Sequence, residues 1–168
     1  SSNTAKLGHQ SLSNSQFQYH GVLANPITAE MVIDPHRENY ILFPDGDAQI
    51  ITPEWIIEKK ILAAPINLIV PDGSWRQAKK IKKRLPFLQN IPTLKLAEKN
   101  PQKYPLRRQK TIDHMCTLEA TALALAHLEG PKRGPLVSAH LFAVLDLLVD
   151  RSLLQKPFIY SVWPRKDK

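Results

Sequence analysis

A carboxylate, a hydroxyl and an indole stand together in the segment Asp72-Gly73-Ser74-Trp75. The apolar run at 66–70 is typical of a buried strand, and the Ser74 to Gln77 spacing is typical of a helix capping box. Ligands gather at the carboxyl ends of strands in open α/β sheets, so this junction is a candidate reaction site. Asp72 can act as a base, bind a cation or only stabilise the turn, and Trp75 can stack on a base or anchor the core.

The helix expected after this junction is strongly basic. It carries Lys79, Lys80, Lys82, Lys83 and Arg84. The whole chain has 23 Lys and Arg against 15 Asp and Glu, a formal charge of +8. A basic domain favours polyanionic partners, with nucleic acid first, and a merely soluble basic surface is the alternative.

A second basic cluster reads Tyr104-Pro105-Leu106-Arg107-Arg108-Gln109-Lys110. An aromatic ring among cations can stack a base while the cations bind phosphates, and a solvated loop is the alternative. Arg107 or Arg108 can also clamp a carboxylate with two hydrogen bonds.

The segment Cys116-Thr117-Leu118-Glu119-Ala120 and the turn Leu42-Phe43-Pro44-Asp45-Gly46 are weaker candidates. Glu119 lies in an apolar helix, so it is either on a wet face or buried with a donor, because an unpaired buried charge is costly. Cys116 is better explained as a small core residue than as a nucleophile. The turn after Leu42 can hold a nucleotide-like ligand with its backbone groups.

Composition excludes several classes of protein. The single cysteine, Cys116, forbids an intrachain disulfide and a cysteine-based zinc site, and the six histidines are scattered without ligand spacing, so no metal is expected. Neither a Gly-x-Gly-x-x-Gly motif nor a Walker lysine loop is present. No apolar run approaches a membrane span, and the start has no signal-peptide character, which favours a cytoplasmic protein without a membrane partner.

The 168 residues suffice for one domain, expected over 1–168. The patterning predicts strands at 16–23, 40–43, 66–70, 91–96 and 158–163. It predicts helices from a cap at 3–4 to 12, and at 53–62, 74–85, 117–128 and 135–154, with a loop at 97–115 and a basic turn at 131–134. Strands that alternate with helices favour an α/β fold with a mostly parallel sheet flanked by helices.

Five segments, in order, resemble the DTW-domain family, which includes tRNA-uridine aminocarboxypropyltransferases. They are Asn3-Thr4-Ala5-Lys6-Leu7, Leu42-Phe43-Pro44, Asp72-Gly73-Ser74-Trp75-Arg76-Gln77-Ala78, Tyr104-Pro105-Leu106-Arg107-Arg108 and Cys116-Thr117-Leu118-Glu119-Ala120. Ser74 stands where the family's name-giving motif has Thr, and the hydroxyl is kept. The Cys cluster that members often carry upstream, for zinc, is absent from this chain.

The resemblance implies a knotted fold similar to the SPOUT methyltransferases, with a C-terminal trefoil-type knot, and a possible homodimer. It also implies a reaction: transfer of the 3-amino-3-carboxypropyl group from S-adenosylmethionine to N3 of a uridine in tRNA, with release of methylthioadenosine. Neither expectation follows from composition or periodicity.

The resemblance also implies roles for residues. Asp72 is the expected base for the uridine N3 proton. The expected donor-binding residues are Leu42, Phe43, Pro44, Asp45, Gly46, Ser74, Trp75, Leu106, Arg107, Arg108, Met115, Cys116, Thr117 and Glu119. The expected RNA-binding residues are Arg76, Lys79, Lys80, Lys82, Lys83, Arg84 and Tyr104.

Three alternatives stay open at this point. A SPOUT-like enzyme can transfer methyl instead, and the aminocarboxypropyl group can go to ribosomal RNA. A basic RNA-binding module without catalysis is the alternative of a different class, in which Asp72 is only a turn residue.

Overall fold

The fold is built around a sheet of four parallel strands. The computed structural model describes residues 4–22, 24, 26–62, 65–97 and 115–154. The strands are β1 (Glu38–Leu42), β2 (Gln49–Ile51), β3 (Ile66–Ile69) and β4 (Thr93–Leu96), in the spatial order β2-β4-β1-β3. The helices of the described residues are α1 (Thr4–Ser11), α2 (Pro53–Leu62), α3 (Trp75–Arg84), α4 (Thr117–Leu128) and α5 (Gly130–Leu154). The predicted α/β class with a parallel sheet is confirmed.

Helices cover both faces of the sheet, because successive side chains of a strand point to opposite sides. Ile41 of β1 shares an apolar cluster with Ala78 of α3. Its neighbours Tyr40 and Leu42 share a different cluster with Ala124 of α4. Burial on both faces explains why this strand has a continuous apolar sequence rather than an alternating one.

The four strands do not end at the same level. Leu42, the last residue of β1, is level with Leu94, whereas β4 continues to Leu96 beside Ile51 of β2. Leu94 of β4 pairs with Leu42 on one side and with Gln49 of β2 on the other, so β2 begins at the level where β1 ends. The connection 43–48 therefore crosses β4 at a single level of the sheet. No helical crossover is needed between these two parallel strands. The sequence did not predict β2, which has three residues.

Helices α4 and α5 form an antiparallel pair separated by Glu129 alone. The expected turn at 131–134 is wrong, since the chain is helical from Gly130 onward. Pro131 is tolerated because it stands in the first turn, where its missing N–H would have no helical partner. A Cβ atom on Gly134 would lie 2.0 Å from the Ala126 carbonyl oxygen, so the two backbones are in direct contact.

The strand expected at 16–23 is also wrong, since the described residues of that segment, 16–22, form no strand. The apparent alternation of Phe17 and Tyr19 does not mark a buried face: the two rings contact each other, and Tyr19 is 58% exposed. The Ser15 hydroxyl donates to the carbonyl oxygens of His9 and Leu12, which ties the segment to the end of α1.

Two expected elements lie outside the described residues, namely most of the loop at 97–115 and the strand at 158–163. The remaining helices and strands appear within a few residues of their expected bounds. None of the helices among the described residues combines the length and the apolar character that crossing a membrane requires.

Replacement of Gly134 by Ala should destabilise the protein by up to about 2 kcal/mol, because the cost of overpacking exceeds the gain in helix propensity. The added methyl gains roughly 1 kcal/mol of helix propensity but forces α4 and α5 apart, and overpacking of this kind costs about 1–3 kcal/mol. Urea unfolding measures the difference. Gly46→Ala is the matched control, because a Cβ there meets nothing within 4 Å. Equal stability of the two variants would contradict the close helix contact.

Candidate functional site

A largely apolar cavity of about 320 Å³ occupies the step left where β1 and β3 end before β4. Residues 42–44 and 70–71 form its floor, and residues 94–97 form one wall. The starts of α3 and α4 complete the cavity with Gly73, Trp75, Ala78, Met115, Cys116, Thr117 and Ala120. The carboxyl ends of parallel strands are the expected place for a ligand in this class of fold.

The turn into α3 is shaped by Gly73 and Ser74. Gly73 adopts φ +136°, a conformation that side chains rarely allow, and a Cβ there would lie 3.0 Å from Gln77 Cβ. Ser74 Oγ accepts from the Gln77 backbone N–H at 3.3 Å, while Gln77 Oε1 accepts from the Ser74 backbone N–H at 2.8 Å. The predicted capping box is therefore confirmed. The Ser74 side chain belongs to this cap and is not part of the described cavity lining.

Asp72 is joined to the start of α4. The hydroxyl of Thr117 donates to Asp72 Oδ1 at 2.5 Å across 45 residues of sequence. Asp72 is partly buried, and it stands between the lining residues Pro71 and Gly73. Among the described residues, its second oxygen has no hydrogen-bond donor. The carboxylate is thus anchored through Oδ1 beside the cavity lining, and the described residues leave Oδ2 accessible to a ligand.

Cys116 and Glu119 form a second capping box, at the start of α4. Glu119 Oε2 accepts from the Cys116 backbone N–H at 2.7 Å, and Cys116 Sγ accepts from the Glu119 backbone N–H at 3.4 Å. Both residues are 1% exposed. Of the two expected possibilities for Glu119, the structure therefore shows a buried carboxylate with a donor, the Cys116 backbone N–H, rather than one on the solvent-exposed face of the helix. Glu119 is not among the described lining residues.

Burial raises the pKa of the Cys116 thiol from 9.0 to about 12, although the Glu119 backbone N–H opposes that shift. A thiol with so high a pKa carries almost no thiolate at neutral pH. Cys116 therefore contributes a wall to the cavity and a cap to α4, as its interpretation as a small core residue predicts.

Two aromatic rings form the α3 side of the cavity. The rings of Phe43 and Trp75 lie 5.5 Å apart with a 48° tilt. Phe43 is buried, whereas Trp75 is 37% exposed, so the indole presents part of its surface to solvent. Trp75 thus serves both as a packing partner of Phe43 and as a cavity wall, which its sequence position alone did not decide.

The structure separates Asp45 and Gly46 from the other residues expected to bind the donor. Asp45 Oδ2 accepts from Lys82 Nζ at 2.6 Å, and the Gly46 carbonyl accepts from Lys95 Nζ at 3.2 Å. Leu42, Phe43 and Pro44 line the cavity, but the two residues that follow them do not.

Lys82 also differs from the other cations of α3. Its ammonium group donates to Asp45 and to Thr93 Oγ1 at 2.7 Å, and its side chain is only 21% exposed. The remaining basic residues of the helix are exposed and, within the described residues, form no ion pair: Arg76, Lys79, Lys80, Lys83 and Arg84. The exposed cations and the cavity share α3, whose Trp75 and Ala78 belong to the lining.

Several expected site residues lie outside the described part of the chain, namely Tyr104, Leu106, Arg107 and Arg108. Their expected roles stay predictions. Among the residues that are described, no cluster of three or more His, Cys, Asp or Glu side chains has the arrangement to hold a metal ion.

Sequence reasoning missed the wall formed by residues 94–97, and Lys95 within it. These residues end a short strand before a polar stretch, so they contain no motif of their own. The rule that ligands lie at the carboxyl ends of parallel strands would have found them, had it been applied to β4 as it was to β3.

Native Cys116 should resist alkylation by iodoacetamide at pH 8. Its raised pKa lowers the thiolate fraction roughly a thousandfold relative to an ordinary thiol, and burial slows access further. Because the chain has one cysteine, intact mass reports the reaction directly. The same protein unfolded in urea is the control and should react fast. Comparable rates in the two states would contradict the buried thiol.

Among solved structures, none matches the chain. The sequence model of the DTW domain matches residues 1–153, which include the Asp72-Gly73-Ser74-Trp75 turn, both capping boxes and the described cavity lining. That match covers 153 of the 168 residues. The chain therefore belongs to the DTW-domain family.

Proposed function

We propose that this protein transfers the 3-amino-3-carboxypropyl group from S-adenosylmethionine to N3 of a uridine in tRNA. Membership of the DTW-domain family supports the proposal, since the family is linked to tRNA-modifying enzymes. The observation that carries it is the carboxylate of Asp72, oriented by Thr117 at the rim of a cavity beside an exposed basic helix.

Asp72 acts as the base in this proposal. Uridine N3 must lose its proton before it can attack as a nucleophile, and the open oxygen of Asp72 accepts that proton directly or through water. N3 then bonds to the methylene carbon attached to the sulfonium sulfur. The bond between that carbon and sulfur breaks, its electron pair neutralises the sulfur, and methylthioadenosine leaves. Thr117 is a positioning residue, since it acts by holding the carboxylate.

The cavity suits the donor in size and chemistry. Its volume is at the lower end of the range typical of small-molecule sites, and its apolar walls with the Trp75 ring suit a planar adenine. Backbone groups near Phe43 and Met115–Thr117 would seat the adenosine. Arg107 or Arg108 would hold the donor carboxylate, as the resemblance implies.

The exposed cations of α3 would bind the tRNA backbone. Phosphate contacts from Lys and Arg position a nucleic acid without reading its sequence. Trp75, a partly exposed residue of the lining, and Lys79 are four residues apart on α3 and so share one face, where a strand of RNA would pass the cavity mouth. Lys82 is assigned instead to the ion pair with Asp45.

The finer expectations about architecture belong to the same proposal. A SPOUT-like fold with a C-terminal trefoil-type knot, a homodimer and a cytoplasmic location are all proposed from the resemblance or from composition. The parallel sheet with a cavity at its carboxyl edge supports the first of these.

Incubation with S-adenosylmethionine and unmodified tRNA transcripts should yield a uridine heavier by one aminocarboxypropyl group. Digestion and nucleoside mass spectrometry measure the product. A uridine heavier by a methyl group would keep the donor and overturn the reaction. Modification of ribosomal RNA alone would overturn the tRNA substrate. Bound tRNA without any modification would favour a binding module.

Asp72→Asn should lower the transfer rate by about 10²–10⁴-fold, because it removes the general base, while tRNA affinity stays near that of the unsubstituted protein. Thr117→Val should lower the rate roughly tenfold by freeing the carboxylate. Single-turnover assays measure both effects. Thr121→Val is the matched control, since the Thr121 hydroxyl donates to the Thr117 carbonyl within α4 and, among the described residues, does not contact Asp72. Normal turnover of Asp72→Asn would remove Asp72 from the mechanism.

Simultaneous replacement of Lys79, Lys80 and Lys83 by Ala should weaken tRNA binding and flatten its salt dependence. Each lost phosphate contact reduces the slope of log affinity against log salt by about 0.7–0.9. Fluorescence anisotropy over a salt series measures the slope. Simultaneous replacement of Lys132, Arg133 and Arg151 by Ala, three exposed cations on α5, is the control for net charge. An unchanged slope in the triple variant would place the RNA surface elsewhere.

Lys82→Ala should instead lower the free energy of unfolding by about 1 kcal/mol, because it removes the ion pair with Asp45.

A further inference from the structure

A short aromatic surface follows α1 and has no role in the proposed reaction. It consists of the side chains of His9, Phe17 and Tyr19. The His9 and Phe17 rings are stacked with centroids 6.3 Å apart, and the Phe17 and Tyr19 rings meet edge to face at 5.0 Å. Tyr19 is 58% exposed, so one end of this row of rings faces solvent.

The aromatic surface is held in place by hydrogen bonds. The Ser15 hydroxyl donates to the His9 and Leu12 carbonyls at 3.0 and 2.9 Å. His9 Nδ1 and Ser15 Oγ are also 2.9 Å apart. These bonds tie the chain at Ser15, two residues before Phe17, to the end of α1.

The chain segment that carries these rings is basic. No Asp or Glu occurs in residues 4–22, whereas the segment contains Lys6, His9 and His20. Surfaces that bind single-stranded nucleic acid combine cations for the backbone with aromatic rings on which bases stack. Tyr19 presents such a ring to solvent within this basic segment.

The helix that carries His9 packs against the helix whose first turn lines the cavity. A Cβ on Gly8 would be 3.2 Å from Leu118 Cδ1, and Leu12 packs in the cluster that contains Cys116 and Leu118. The end of α1 is therefore seated on the first turn of α4. That turn supplies Cys116 and Thr117 to the cavity wall.

We propose that His9, Phe17 and Tyr19 form a stacking surface for unpaired bases of the RNA substrate. The proposal rests on the proposed function only in taking RNA as the partner. It adds a second contact region to the basic face of α3, with different chemistry: aromatic stacking of bases rather than ionic binding of phosphates. The two regions predict different responses to salt.

The test measures binding of a short fluorescein-labelled oligouridylate by anisotropy, over a salt series, with the full chain. Tyr19→Ala should weaken binding roughly 5- to 100-fold, the usual effect of losing one stacked base. The slope of log affinity against log salt should not change, because no phosphate contact is lost. Tyr19→Phe keeps the ring and should bind like the unsubstituted protein. Leu147→Ala removes a side chain that is 62% exposed on α5 and is the matched control.

Three results would overturn the stacking surface. Tyr19→Ala with unchanged affinity refutes it, and the proposed function survives if the α3 triple variant still loses affinity and the transfer assay is positive. Equal losses in Tyr19→Ala and Leu147→Ala would indicate a general effect of surface truncation. A change of molecular mass in Tyr19→Ala, with RNA binding intact, would assign the rings to a contact between two copies of the chain. Failure of the unsubstituted protein to bind any RNA would instead refute the RNA partner itself.

Discussion

The hydrogen bond from Thr117 to Asp72 is the contact on which the geometry of the site depends. It joins Asp72, two residues before the α3 capping box, to the first residue of α4, across 45 residues of sequence. Each of the two helices is fixed by its own capping box, so each presents a defined N-terminal turn. The bond between the turns sets their separation, and the cavity is the space that this separation leaves above the sheet. Without this bond, α3 and α4 would still pack on opposite faces of the sheet. Among the described residues, no other hydrogen bond would then hold the start of α3 against the start of α4.

The cavity exists because the strands end at different levels of the sheet. If β1 had continued beside β4 to Leu96, its backbone would fill the floor of the cavity. The chain instead leaves β1 at Phe43 and crosses toward β2, and two lysines hold the crossing segment: Lys82 binds Asp45, and Lys95 binds the Gly46 carbonyl. Residues expected to touch a ligand therefore maintain the strand end that makes room for one.

The sequence predicted those parts of the fold that local chemistry determines. Ser74 with Gln77 and the apolar run at 66–70 act within a few residues, and both appear as expected. The ion pair of Lys82 was not anticipated, because charges were counted without the phase of the helix. Ala78, Ile81, Lys82 and Leu85 share one face at the i, i+3, i+4, i+7 spacing and turn toward the sheet. The contact of Thr117 with Asp72 and that of Gly134 with Ala126 join residues distant in sequence or on separate helices, so no local pattern encodes either. The strand predicted at 16–23 was wrong because the period of two at Phe17 and Tyr19 has a local cause. Rings at i and i+2 that pack on each other produce the same spacing as one face of a strand.

The bare backbone contact at Gly134 has a mechanical consequence. At this point no side chain separates the two helices, and beyond it apolar side chains of α4 and α5 pack in one cluster, so α4 follows a displacement of α5 as a stiff rod. Thr117 stands about 14 Å from Ala126 along the axis of that rod. A substitution that shifts α5 is then transmitted to the hydroxyl that aims Asp72, although α5 supplies no residue to the described cavity wall. A substitution on α5 can therefore move the Thr117–Asp72 contact while every residue of the cavity wall is left intact.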